Sequence, residues 1–272
     1  MGTNLTNIPP KKQAKLTIPL QGASLRHSLE RYLFAAIPSF VVGSVFRLRQ
    51  SGAILYRCCL KSEPVLDLER LASILQNSFP SENCPIQASS SPCLGFEICW
   101  EQPLRLNLSL PDDQLLRWLA HLWQLKDGLY QPRDYWDEVT QDDFPLQYAH
   151  ARCWSAIQPG WLRIEGNALN NPSAITCDRV PFDSSLRLDA QTRSLIHALL
   201  EFVDQVDQRN CFKQATLILL GRQLGHAALE YFRYAALLSP GGSSDLRLMI
   251  LVQRSLQWLL EERCGVIARR EL

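Results

Sequence analysis

No stretch of about 18 uninterrupted apolar residues, the length a membrane-spanning helix requires, occurs in the 272-residue chain. The longest candidate, Tyr32 to Val45, is short and is broken by Pro38. The opening segment MGTNLTNIPPKKQAK has no apolar core of the secretory kind, so a cytoplasmic protein is the expectation. Gly2 and Thr6 fit the myristoylation pattern, which is short, arises often by chance and is given no weight. None of the nine cysteines forms a C-x-x-C pair, and their number is odd. Cys84, Cys93 and Cys99 are loosely spaced with no histidine nearby in sequence, while adjacent Cys58 and Cys59 would point to opposite faces of a strand. Zinc ligation and a disulfide framework are both disfavoured, and buried or half-buried thiols in a reducing compartment are expected. Gly-x-Ser-x-Gly, P-loop and Gly-x-Gly-x-x-Gly motifs are missing too, so neither a cofactor nor a metal is expected. Gly241-Gly242 lies between helical patterns rather than after a strand and reads as a turn.

Charge of one sign is also scarce: 28 Lys and Arg stand against 27 Asp and Glu. The layout is uneven, with a net +4 over residues 1–110, −5 over 111–144 and +2 over 145–272. A polyanion binder ordinarily displays a clear basic surface. The weak one here counts against tight RNA binding.

What the chain does hold is apolar bulk. Hydrophobic residues make up 46%, charged residues 20%, and seven tryptophans run from Trp100 to Trp258, enough for a sizeable core. Residues 1–16 read as a flexible tail and 17–125 as a small α+β domain. Leu25, Leu29, Tyr32, Leu33 and Ala36 recur at helical spacing behind Ser24, a candidate cap. Strand-like runs follow at Ser44–Arg49 and Ala53–Lys61 around a Ser51-Gly52 turn, then an amphipathic segment Asp67–Phe79 and a Ser/Pro loop at 80–92. Gly95–Glu101 and Leu104–Leu108 alternate like paired strands, and Pro111-Asp112-Asp113 opens a helix through Trp123. Residues 126–144 form an acidic, aromatic connector. Beyond it the pattern predicts an all-α bundle over 145–272, with helices at Pro145–Ile157, Asp189–Gln205, Asn210–Leu238 and Asp245–Glu262. A Gly/Pro/Asn-containing stretch occupies 159–185.

The segment FPLQYAHARCWSAI at 144–157 resembles the Gln-Tyr-Ala-His-Ala-Arg helix that opens the DALR-type anticodon-binding domain of arginyl-tRNA synthetases, matching at Gln147, Tyr148, Ala149, His150, Ala151 and Arg152. The later order is similar as well. Asn210–Leu238 carries His226, Tyr231, Phe232 and Tyr234, like the family's aromatic helix. The ending GVIARREL is similar to the family's Gly-Ile-x-x-Pro-Glu-Arg-Met from Gly265 on, but Arg269 stands for the proline, Arg270-Glu271 for the Glu-Arg pair and Leu272 for the methionine. Gly52–Phe79 and Leu94–Leu119 follow, with few identities, the outline of the family's additional N-terminal domain. The resemblance implies a helix bundle of the class I synthetase anticodon-binding type and tRNA, arginine tRNA in particular, as ligand. Its candidate contacts are Gln147, Tyr148, His150, Arg152, Tyr231, Arg269, Arg270 and Leu272. The family's His-x-Gly-His and Lys-Met-Ser-Lys-Ser motifs are missing, and a nucleotide-binding α/β domain needs on the order of 100 residues that are not there. The expectation is a non-catalytic protein.

Two readings of the motif stay open. In one, Tyr148 and His150 offer stacking faces to unpaired bases and Arg152 a phosphate or base-edge contact. In the other, Tyr148 and His150 fix how the helix docks, with Ala149 and Ala151 permitting close approach. The partner is accordingly tRNA, or a protein of tRNA metabolism bound by a bundle that has lost its RNA surface.

Overall fold

Along Arg105–Leu110 every second side chain is apolar, and Leu106, Leu108 and Leu110 are buried while Asn107 and Ser109 between them are not. That alternation turns one face of an extended chain toward a core. The computed structural model describes residues 13–19, 22–36, 41–49, 54–61, 93–101, 105–125, 144–165, 182, 186, 188–206, 214–235 and 243–270. Five strands, β1 (Gln13–Pro19), β2 (Val41–Arg49), β3 (Ile54–Lys61), β4 (Cys93–Glu101) and β5 (Arg105–Leu110), form one antiparallel sheet in the order β1-β4-β5-β3-β2. On β3 and β4 the same rule holds: Ile54, Tyr56 and Cys58, and Leu94, Phe96 and Ile98, are buried. Helix α1 (Leu25–Ala36) buries Leu29, Tyr32 and Leu33, and its Glu30 lies near enough to Cys58 to raise the thiol pKa. Burial is the larger cause, the neighbouring Cys59 also contributes, and together they push Cys58 up to about 12, an unreactive thiol.

The other helices are α2 (Asp112–Leu125), α3 (Phe144–Glu165), α4 (Ala190–Val206), α5 (Gln214–Ala235) and α6 (Ser243–Trp258), the last passing into a π-helical turn at Leu259–Cys264. Among the described residues one helix, α1, stands between strands β1 and β2 and the other five follow the last strand, an α+β arrangement. The contacts divide the chain into one unit of Met1–Gln21 with Arg26–Gln114, and a second of Gly22–Leu25 with Leu115–Leu272. Most of α2 therefore belongs to the helical unit, not to a domain ending at 125. The reason is local: the Trp118 indole donates to the Ala23 carbonyl at 2.9 Å, the His121 ring to the Gly22 carbonyl at 3.0 Å, and the Ser24 hydroxyl to Asp204 at 2.8 Å.

Three boundaries depart from the sequence reading. Residues 13–16, expected in a flexible tail, start β1 because they pair with 96–99 of β4. Helix α3 continues through Pro159 and Gly160 to Glu165 instead of stopping at 157. Proline there removes one bond, to the carbonyl of Ser155, and Ser155 is exposed where water can take that place. The last helix changes to π geometry after Trp258 and ends at Gly265, whose φ of 70° suits glycine. The segment expected as a helix at Asp67–Phe79, the loop at 80–92 and all but the last residue of the 126–144 connector lie outside the described residues.

In the helical unit α4 packs on α5, and α3 packs on both α5 and α6. The α3–α5 crossing depends on two glycines one turn apart. A Cβ at Gly221 would lie 2.0 Å from Leu259 Cδ2 and 3.1 Å from Leu146 Cδ2; one at Gly225 would lie 2.8 Å from the Ala149 Cβ. Ala149 has no torsion with which to yield, so Gly225→Ala must force the helices apart. Overpacking of this kind costs about 1–3 kcal/mol, against a helix-propensity gain of roughly 1 kcal/mol. The expected outcome is a net loss of stability, read as a lower urea midpoint for Gly225→Ala. A raised midpoint would mean that the two helices are not in such close contact.

Candidate functional site

Helix α3 exposes three kinds of surface, set by the 100° between successive residues. Leu146, Ala149, Cys153 and Ile157 face the core and are buried. The Cys153 thiol, fully enclosed, is pushed up to about 12 by burial. Phe144, Tyr148 and Arg152, four residues apart, line the outward face together with Ser155. Gln147, His150 and Trp154 form the third side, and along it runs the chain's terminal segment, in the same direction as the helix.

That segment is clasped by side chains. The Gln147 amide donates to the Ile267 carbonyl and accepts from the Arg269 N–H at 2.9 Å, a reciprocal pair of the kind strands exchange. The His150 Nδ1 meets the Arg269 carbonyl at 2.8 Å, and its Nε2 meets the Gln253 amide nitrogen at 2.8 Å. Farther along, the Arg270 guanidinium sits 4.3 Å from the centroid of the Trp154 ring, within cation–π range. Val266 and Ala268 are buried while Ile267, Arg269 and Arg270 are exposed, so the tail alternates like an edge strand.

A carbonyl can only accept and an amide nitrogen can only donate. His150 must therefore carry its proton on Nδ1 and present a lone pair at Nε2: it is neutral. Burial is the main reason its pKa falls from the ordinary 6.5 to about 4; the cations Arg270 and Arg254 lower it too, and the bond to the Arg269 carbonyl opposes them.

The candidate contacts thus separate. Gln147 and His150 are inside, 0% and 1% exposed, their polar atoms committed to the protein's own tail and, for His150 Nε2, to Gln253. Tyr231 is buried as well, its hydroxyl donated to Asp245. Burial, that bond and the negative charges of Asp245 and Asp189 raise its pKa well above the ordinary range. None of these three presents a face to a ligand. Tyr148, Arg152, Arg269 and Arg270 are outside, and among the described residues no ion pair is formed by Arg152, Arg269 or Arg270. Leu272 lies outside the described residues.

The sequence reading missed Phe144, 53% exposed, whose ring stacks with that of Tyr148 at 6.3 Å and 18°. Its position four residues before Tyr148 was the available signal. The Gln253, Gln257 and Glu261 side chains were missed too, although they also follow one another at intervals of four. The strip therefore combines two near-parallel aromatic rings, one arginine a turn beyond, and two arginines on the clasped tail at its edge.

Among the described residues no group of three or more His, Cys, Asp or Glu side chains gathers as a metal site would require, and no helix is long and apolar enough to cross a membrane. No protein-family model, curated protein or solved structure matches the chain.

The histidine makes stability depend on pH with a definite sign. Unfolded, His150 titrates near 6.5; folded, near 4. Between these values the unfolded chain binds more protons, so stability falls as pH drops through that window and levels off below it. The shift corresponds to about 3 kcal/mol. Urea unfolding at pH 7 and pH 4.5 checks this, and the non-titrating His150→Gln variant should lose this part of the slope. Gln147→Ala should separately expose the terminus, since it strands the Ile267 carbonyl and the Arg269 N–H; trypsin should then cut after Arg269 and Arg270 faster than in the wild type.

Proposed function

We propose that this chain is a non-catalytic tRNA-binding accessory protein, with arginine tRNA the ligand implied by its resemblance to the anticodon-binding domain. The observation that carries the reading is the outward strip of α3: Phe144 and Tyr148 stacked and exposed, Arg152 beyond them, Arg269 and Arg270 alongside. Unpaired bases are recognised by stacking on aromatic faces and on guanidinium planes, while arginines take the phosphates. A duplex reader needs a broad basic surface instead. A small aromatic and basic strip on a chain of nearly balanced charge suits a single-stranded loop. No catalytic step is assigned to the protein; it would hold the RNA for another enzyme, as a factor or as a subunit of a modifying complex.

The second reading is a protein–protein adaptor. It is favoured by the exposure of Phe144, Leu219 and Ile267, at 53%, 55% and 44%, and by the inward commitment of Gln147 and His150.

A mobility-shift titration with total tRNA at two salt concentrations separates them. On the RNA reading a complex forms at low salt and weakens as salt rises. Loss of a base-stacking ring is worth about 1–3 kcal/mol, so Tyr148→Ala should weaken binding by roughly 5- to 150-fold. Arg152→Ala should weaken all tRNAs alike and reduce the salt slope by about 1. No complex at low salt would end the RNA reading and leave the adaptor.

A further inference from the structure

The histidine that holds the tail is itself the end of a longer chain of side chains. Gln253 gives one amide hydrogen to His150 Nε2 at 2.8 Å and the other to Gln257 Oε1 at 3.2 Å. Gln257 turns its own amide nitrogen to the Glu261 carboxylate, at 3.3 and 3.5 Å from the two oxygens. Arg254 points at the same Gln257 oxygen from 3.5 Å. Gln253 and Glu261 are buried, 3% and 4% exposed. Every bond in this series runs one way, and the direction starts at Glu261. A carboxylate accepts only, so Gln257 must face it with its nitrogen and turn its oxygen back toward Gln253. Gln253 must then present nitrogen to His150. His150 must accept at Nε2, which places its proton on Nδ1, toward the Arg269 carbonyl.

We propose that Glu261, Gln257 and Gln253 are positioning residues for the interaction strip, selecting through this one-way hydrogen-bond chain the Nδ1-protonated form of His150 that keeps Arg269 and Arg270 docked along α3. What the docked arginines contact rests on the RNA reading above; the relay and the docking do not. The chemistry of the alternative state makes the link sharp. If Glu261 is replaced by glutamine, a carboxamide can offer nitrogen, and the series can reverse, opposed only by the long 3.5 Å contact from Arg254 to the Gln257 oxygen: Gln257 and Gln253 turn over, and His150 becomes a donor at Nε2. Its Nδ1 lone pair then faces the Arg269 carbonyl oxygen, two acceptors with no hydrogen between them. Of its side-chain clasps the tail keeps Gln147 and the Arg270–Trp154 contact.

The test uses the full chain, with histidine ring nitrogens observed by 15N–1H NMR at pH 7 and the terminus probed by limited trypsin cleavage. In the wild type His150 should show a protonated Nδ1 and a bare Nε2; a protonated Nε2 overturns the proposal outright. In Glu261→Gln the ring should shift toward the Nε2-protonated form, and cleavage after Arg269 and Arg270 should rise by about tenfold, while the far-UV spectrum stays helical. Gln257→Met interrupts the series without touching His150 or the tail, and serves if Glu261→Gln does not fold; the same freeing of the tail is expected. An unchanged ring and unchanged cleavage in a folded variant overturn the proposal. A freed tail supports it whatever happens to tRNA affinity. Should affinity then be unaffected, it is the role of Arg269 and Arg270 in RNA binding that falls, not the relay.

Discussion

An irregular terminal segment laid against a helix bundle brings backbone groups into a place where water is scarce, and each must find a partner there. Residues 266–269 solve this by borrowing side chains from α3. Gln147 is the residue on which the arrangement turns, because a carboxamide carries a donor and an acceptor at the spacing of a peptide group and can stand in for a neighbouring strand. His150 completes the pairing one turn farther on. Once these two side chains are fixed, the helix has no rotational freedom left: Leu146, Ala149 and Cys153 must face inward, and Phe144, Tyr148 and Arg152 must face out. The exposed strip is a geometric by-product of the clasp.

The close approach of α5 has the same effect on the adjoining, core-facing side of α3. With glycine at 221 and 225, α5 comes near enough to occupy the space beside Leu146 and Ala149, so α3 is fixed on two adjoining sides, by a helix and by a strand-like tail. The π turn belongs to this frame too. Its wider i→i+5 bonding carries Leu259 and Leu260 into the core and turns Glu261 inward, and the left-handed Gly265 then redirects the chain along α3, with the Val266 N–H returned to the Leu260 carbonyl at 3.0 Å.

Much of this is legible in the amino-acid pattern where the determinants are local. Leu25, Leu29, Tyr32 and Leu33 mark α1, and the alternation in 105–110 marks β5, because burial follows the period of the element. Non-local pairing is not legible in that way. β1 shows little in the short segment QAKLTIP, and exists because β4, some eighty residues later, supplies its partners. The site divides along the same line. A motif read as a unit gives Gln147, Tyr148, His150 and Arg152 one shared role, yet adjacent helical positions point in different directions, and only the tail, about 120 residues away in sequence, decides which pair is consumed inside and which is left for a partner. Tyr231 is similar: its aromatic character was visible, whereas the carboxylate of Asp245 waiting across the bundle was not.

The Ser24 hydroxyl reaching Asp204 across 180 residues of sequence bears on how the molecule can be dissected. Gly22, Ala23 and Ser24 are spliced into the bundle by His121, Trp118 and Asp204, although the chain around them belongs to the sheet. A fragment that began at Phe144 would carry the motif helix and everything after it but leave behind α2 and those three residues. Its Asp204 would lose the Ser24 hydroxyl in a water-poor site. Such a piece is less a domain than a domain with its buttress removed.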